Sequence, residues 1–196
     1  MILSHLVHTL HMRRFAAYVL LPISLLSLLL LNSCSTTYPR RDPTGEAFPT
    51  VSGKALDGTE VTFPAVGRGA PMLLLIGYEQ NSQFDIDRWI QGLADAGGKV
   101  RAYELPTLPG LLPRMFGGYI DAGMRRGIPM EDWFSVVTLY AEAKPVAEFT
   151  GNEDGLPGRV VLLDGDGRVV FFHDRGYSLG TLQRLLAVLG ELPKRG

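Results

Sequence analysis

Met72-Leu73-Leu74-Leu75-Ile76-Gly77-Tyr78-Glu79-Gln80-Asn81-Ser82-Gln83-Phe84-Asp85 is the stretch on which the reading of the fold depends. Its first half is an unbroken apolar run, too short for a helix and without alternation. That pattern belongs to a strand buried on both faces, the centre of an α/β sheet. Gly77 ends the run and a polar turn follows. Beyond the turn, Phe84, Ile86, Trp89, Ile90 and Leu93 recur at helical spacing, with Asp87, Arg88, Gln91 and Asp95 between them. Strand, turn and helix make the first half of a βαβ unit. In such units ligands gather where the strand's carboxyl end meets the helix N-terminus. Tyr78 to Asp85 is therefore the first candidate site, with Glu79, Gln80 and Asn81 as its free polar groups.

Upstream, Arg13 and Arg14 precede an apolar run from Phe15 to Leu31 that only Pro22, Ser24 and Ser27 interrupt. A basic start and an apolar core make an export signal. The run is close to the lower limit of about 17 residues for a membrane span, so its ending decides. Leu31-Asn32-Ser33-Cys34 resembles the lipobox of bacterial lipoproteins, although Asn32 is an unusual choice at its position. The resemblance implies that residues 1–33 are removed and that Cys34 is acylated, palmitate being one of the chains. Two or more acyl chains anchor stably where one is marginal. Ser35 after the cysteine implies the periplasmic face of the outer membrane in a Gram-negative cell envelope. Met12-Arg13-Arg14 would open a compact signal, and we read Met12 rather than Met1 as the start. Precursor peptides mapping upstream of Met12 in mass spectra would refute this. Residues 34–47, without periodicity, read as the lipidated cysteine and a flexible tether, 48–192 as one domain, and 193–196 as a tail.

Within the domain, Asp57-Gly58 marks a hairpin between short extended pieces. Strands are expected at Lys99 to Leu105 and Ser135 to Tyr140, and a hairpin at Arg159 to His173 turning at Asp164-Gly165-Asp166-Gly167. Leu111, Leu112, Met115, Phe116, Tyr119, Ile120 and Met124 repeat at three and four, a second amphipathic helix whose ridge is expected to be buried. Ala141 to Asn152 reads as irregular. Leu179, Leu182, Leu185, Leu186 and Leu189 form a last helix with Ser178 as its N-cap. This order resembles the thioredoxin-like arrangement, an α/β fold with a mixed central sheet and helices on both faces. That resemblance makes Pro157, before the penultimate strand, the candidate for a cis proline facing the turn; a trans loop proline is the alternative.

The thiols of such enzymes are missing. They sit on the turn after the central strand, where the helix dipole lowers a cysteine's pKa. The corresponding positions hold Ser82 and Asp85, and Cys34 is the chain's one cysteine. Acylation of Cys34 would leave no free thiol. Ser82-x-x-Asp85 before an apolar run reads as a capping box, with the hydroxyl accepting from the first turn and the carboxylate answering. A Ser82 nucleophile would need His173, the one histidine of the domain, and no elbow motif supports the pair. One histidine and no spare cysteine exclude the usual zinc and copper sets, and the Asp164–Gly167 loop lacks the later acidic ligand of a calcium loop. No cofactor is expected. The net charge of −1 gives no sign of a nucleic-acid partner.

Tyr103-Glu104-Leu105-Pro106, the helix end Tyr119-Ile120-Asp121-Ala122-Gly123-Met124-Arg125-Arg126-Gly127-Ile128-Pro129, and Thr138-Leu139-Tyr140 resemble the thioredoxin-fold family of the mitochondrial ATP-synthase assembly factor for the Fo sector. That family has bacterial members, which are not thiol enzymes as a class. The resemblance implies a protein partner and adds Glu104, Asp121, Arg125 and Arg126 to the candidate binding residues, beside Pro157 and the turn. Arg125 and Arg126 in the last helical turn also complement the dipole without any partner. The expected function is binding, in assembly of envelope or membrane complexes. The alternatives are an enzyme borrowing a partner's thiol or hydrolysing at Ser82, and a structural envelope lipoprotein.

Overall fold

The computed structural model describes residues 37–193. Residues 1–36, with the expected leader and Cys34, and residues 194–196 lie outside them. Among the described residues no helix is long and apolar enough to cross a membrane.

The apolar run is strand β3 (Met72–Gly77), reached after β1 (Val51–Ala55) and β2 (Glu60–Phe63), and all six of its residues are buried. It pairs in parallel with β4 (Arg101–Pro106) and antiparallel with β6 (Arg159–Leu163), which carries β7 (Val169–His173) on its far side. The order β4-β3-β6-β7 is a mixed sheet with β3 inside it. Two-sided burial explains why β3 does not alternate. Leu73 and Leu75 pack with Ile86, Trp89 and Leu93 of α1 (Gln83–Asp95) and with Leu182 and Leu185 of the last helix. Met72, Leu74 and Ile76 join the opposite core, with Val137, Leu139, Val146 and Val161. The fold is the expected α/β arrangement with helices on both faces.

Four features depart from expectation. The first hairpin and β5 (Val137–Thr138) form a separate sheet, β2-β1-β5, which meets β4 only through single bridges at Glu104–Val136 and Thr107–Leu139. Gly53 permits the close packing of β1 on β5, since a Cβ there would lie 2.7 Å from Leu139 Cδ2 and 2.8 Å from the Thr138 carbonyl. Second, Ala143–Thr150 is a helix, α3, where an irregular segment is expected. Pro145 obscures it in the sequence, but in a first turn proline removes only a donor that has no helical partner. Third, the segment read as a tether lies against the domain from Tyr38 onward. Tyr38 N–H donates to Asn152 Oδ1 (2.7 Å), Arg40 pairs with Asp174 (2.7 Å), and Gly45 N–H donates to the Val169 carbonyl (2.8 Å). This arm runs along β7, satisfying backbone groups that an edge strand would otherwise expose.

Fourth, helix α2 (Leu111–Gly127) forms as its periodicity predicts but lies the other way round. Its expected core ridge is exposed: Leu111 by 69%, Met115 by 65%, Phe116 by 55% and Tyr119 by 76%. Gly117 is its one buried residue among those described, seated on the Tyr140 ring. The one proton of the Tyr140 hydroxyl faces Asp121 Oδ1 (2.8 Å), with the Gly117 carbonyl as a second acceptor at 3.1 Å, and Thr138 Oγ1 donates to the same carboxylate (3.2 Å). Polar contacts at a spacing of four turn the helix, so its apolar side faces solvent. The last helix, α4 (Leu179–Glu191), has the expected cap, Ser178 Oγ accepting from Thr181 N–H.

Candidate functional site

Beyond Gly77 the chain turns through a single 3₁₀ turn, Gln80–Ser82, into α1. Glu79, Gln80 and Asn81 are exposed, whereas Ser82 is fully buried and Asp85 nearly so. The two buried residues do not cap each other. Ser82 Oγ accepts from the Glu79 N–H (3.2 Å) and donates to the Gly155 carbonyl (3.0 Å). Asp85 Oδ2 accepts from the Gly158 N–H (3.0 Å), and Oδ1 from the Tyr177 N–H (2.7 Å), with Arg88 at 3.6 Å. A capping box forms three residues earlier than expected, between Glu79 and Ser82, while Ser82 and Asp85 also make two tertiary clamps. They bind the turn to the loop before β6 and to the segment between β7 and α4. Buried backbone donors demand acceptors, and a carboxylate meets two of them with charge-assisted bonds.

A further clamp lay outside the sequence reading. Arg159, buried at the start of β6, donates to the carbonyls of Gly151 (3.1 Å), Pro157 (2.6 Å) and Asp154 (2.6 Å). Its guanidinium stands 5.1 Å from the centre of the Tyr78 ring, and the Tyr78 hydroxyl shares a 2.6 Å hydrogen bond with Thr150 Oγ1. Burial pulls the Arg159 pKa down and pushes that of Tyr78 up. The available signal was a charge opening the otherwise apolar Arg159-Val160-Val161-Leu162-Leu163, since a buried cation requires acceptors. The Leu156–Pro157 peptide is trans, the alternative to the cis proline that the thioredoxin-like resemblance suggested. Among the described residues the cis peptide is Phe63–Pro64.

The candidates fall into two groups. Glu79 to Asp85, Glu104 and Pro157 come together at one end of the sheet: the Gln83 amide donates to Glu104 Oε2 (3.1 Å), and a Cβ at Gly155 would lie 2.6 Å from Glu79 Oε1. Burial pushes the Glu104 carboxyl above the usual carboxylate range, opposed by the Gln83 bond. Asp121, Arg125 and Arg126 belong instead to α2. Arg125 is no free rim charge: its Nε donates to the Leu56 carbonyl (2.7 Å), and the guanidinium lies over Trp133. Arg126 is exposed.

At the turn, Ser82 is not a free hydroxyl. The Ser82 hydroxyl is engaged both as donor and as acceptor. His173 does not reach it; its Nε2 is 2.8 Å from the Gly176 carbonyl and its ring packs edge-on against Trp89. Among the described residues no group of three or more His, Cys, Asp or Glu side chains is placed to hold a metal. What faces solvent is Glu79, Gln80 and Asn81 on a pinned backbone, with exposed Phe84 and Leu156 in the adjoining chain.

No protein-family model matches this chain, and no curated protein matches it. Solved structures do. The thioredoxin domain of a thiol-disulfide oxidoreductase from Bacteroides vulgatus is 18% identical, over 74% of this chain and 99% of that one, with a TM-score of 0.51. BsSco, a member of the Sco family of cytochrome c oxidase assembly proteins, is 13% identical over 79% of this chain and 99% of its own, with a TM-score of 0.52. A SCO1/SenC family lipoprotein from Bacillus anthracis matches at 12% identity, over 79% of this chain and 99% of that one, with a TM-score of 0.52. At such identities the likeness speaks for the fold alone. This chain has the thioredoxin-like fold.

Proposed function

We propose that this protein is a lipid-anchored, extracytoplasmic thioredoxin-like domain that acts by binding, in the assembly of envelope or membrane protein complexes, without thiol chemistry of its own. The observation that carries the reading is the filled turn. Where the fold's enzymes present a cysteine, Ser82 and Asp85 are buried and committed to Gly155, Gly158 and Tyr177. A turn locked in this way is preorganised, so a partner docking on Glu79, Gln80 and Asn81 loses little entropy in ordering it. The lipobox-like Leu31 to Cys34 supports the anchor, and the resemblance to the Fo assembly-factor family supports an assembly role.

The test is photo-crosslinking from position 80 of the full chain in its own membranes, with identification of the adduct. A dominant membrane-complex subunit, captured again when that subunit is the bait, supports the reading. Reduction of insulin disulfides or turnover of peroxide by the purified chain would overturn it, because a chain without a free thiol has no route to either. Cys34→Ser is expected to abolish membrane partitioning of the mature domain; survival of the mutant through a carbonate wash would remove the lipid anchor.

A further inference from the structure

We infer that the exposed ridge of α2 lies in the interface of the membrane that holds the anchor, so that the domain is seated on the bilayer. This rests on the lipidated Cys34 of the proposed function and goes beyond it.

The ridge calls for an apolar neighbour. Leu112, Met115, Phe116 and Tyr119 follow one another at helical spacing on the solvent side, and Arg126 continues the line one heptad beyond Tyr119. The helix has one carboxylate, Asp121, and it is turned inward onto Tyr140 and Thr138. Arg126 has no carboxylate partner among the described residues. An outward face with leucine, methionine, aromatic side chains, a terminal arginine and no acid is the composition of a helix lying in a headgroup layer. There the tyrosine and arginine keep their polar tips in water while their stems are buried.

The covalent chain bounds how far Tyr38 can lie from the anchor. Tyr38 is docked on Asn152, four residues after Cys34, and a fully extended chain of that length reaches only about 14 Å. Tyr38 packs against the core face that carries Val137, Leu139, Ala143 and Val146, opposite α1 and α4. The seat of α2, Tyr140, lies just before α3, and Asn152 lies just after it. An eight-residue helix is about 12 Å long, so the arm's dock at Asn152 and the seat of α2 at Tyr140 stand at the two ends of α3.

A single-site spin label tests this, because acylation of Cys34 leaves the mature chain without another thiol. Tyr119→Cys and Met115→Cys place the label on the ridge, and Gln91→Cys places it on the exposed side of α1. Each full-length protein is matured in its host, extracted and reconstituted into vesicles of phosphatidylethanolamine and phosphatidylglycerol. The expected result is that both ridge labels are several-fold more accessible to oxygen than to a water-soluble nickel chelate, and the α1 label the reverse. Vesicle-bound protein whose ridge labels stay as chelate-accessible as the α1 label would overturn the docking and leave the anchor standing. Ridge labels shielded from both reagents would also overturn it, in favour of a protein cover such as a second copy. Protein that does not float with the vesicles would overturn the anchor and the docking together.

Discussion

Helices α1 and α2 have nearly the same amphipathic signature and opposite fates. In α1 the apolar positions Ile86, Trp89 and Leu93 are buried, and the polar residues at its start are drawn into the domain as clamps. In α2 the apolar ridge is exposed, and the inward side holds Gly117, Asp121 and Arg125. Periodicity establishes that a helix has two faces. It does not say which face the neighbours will accept. α1 lies across a sheet of leucines and valines, whereas α2 meets a tyrosine hydroxyl, a threonine and a free carbonyl at Leu56, which are better met by polar groups.

The sharpest way to break this contrast is Asp85→Ala. It leaves the Gly158 and Tyr177 N–H groups without their acceptor, a loss of about 3 kcal/mol in chemical denaturation. A cost no larger than that of a surface change would mean the turn is not a clamp. Next is Gly117→Leu, whose Cβ would fall 2.9 Å from the Tyr140 ring. It is expected to lift α2 at a cost of about 2 kcal/mol, with faster amide exchange in α2 and unchanged exchange in β3. Uniform destabilisation of both would show that α2 belongs to the core unit.

Arg125→Glu and Arg126→Glu separate the two arginines. The first loses the Leu56 bond and the Trp133 contact, about 1.5 kcal/mol, and the second stays within about 0.5 kcal/mol of the parent. Equal costs would return Arg125 to the free surface. The smallest effect concerns Glu104. Burial raises its folded pKa above the unfolded value, so its contribution to stability is whole below the ordinary carboxylate range and fades as pH rises through the folded value. Glu104→Gln is therefore expected to show a slightly higher Tm at neutral pH, with the gain vanishing in acid. A mutant less stable than the parent at neutral pH would mean the Gln83 bond outweighs burial.

The sequence by itself determined the sheet's centre, because Met72 to Gly77 has no polar side to offer water, and it determined the absence of thiols from the domain, which is covalent composition. It also located the turn, since Gly77 and the helical spacing after it are local signals. Tertiary structure decided what the turn's residues do. Ser82 finds Gly155 and Asp85 finds Tyr177, partners distant in sequence, so a local capping rule assigned them to each other instead. It likewise docked the arm from Tyr38 along β7, a segment whose composition alone reads as a linker. The orientation of α2 belongs to the same class. Burial is a property of two surfaces in contact, and a sequence pattern describes only one of them.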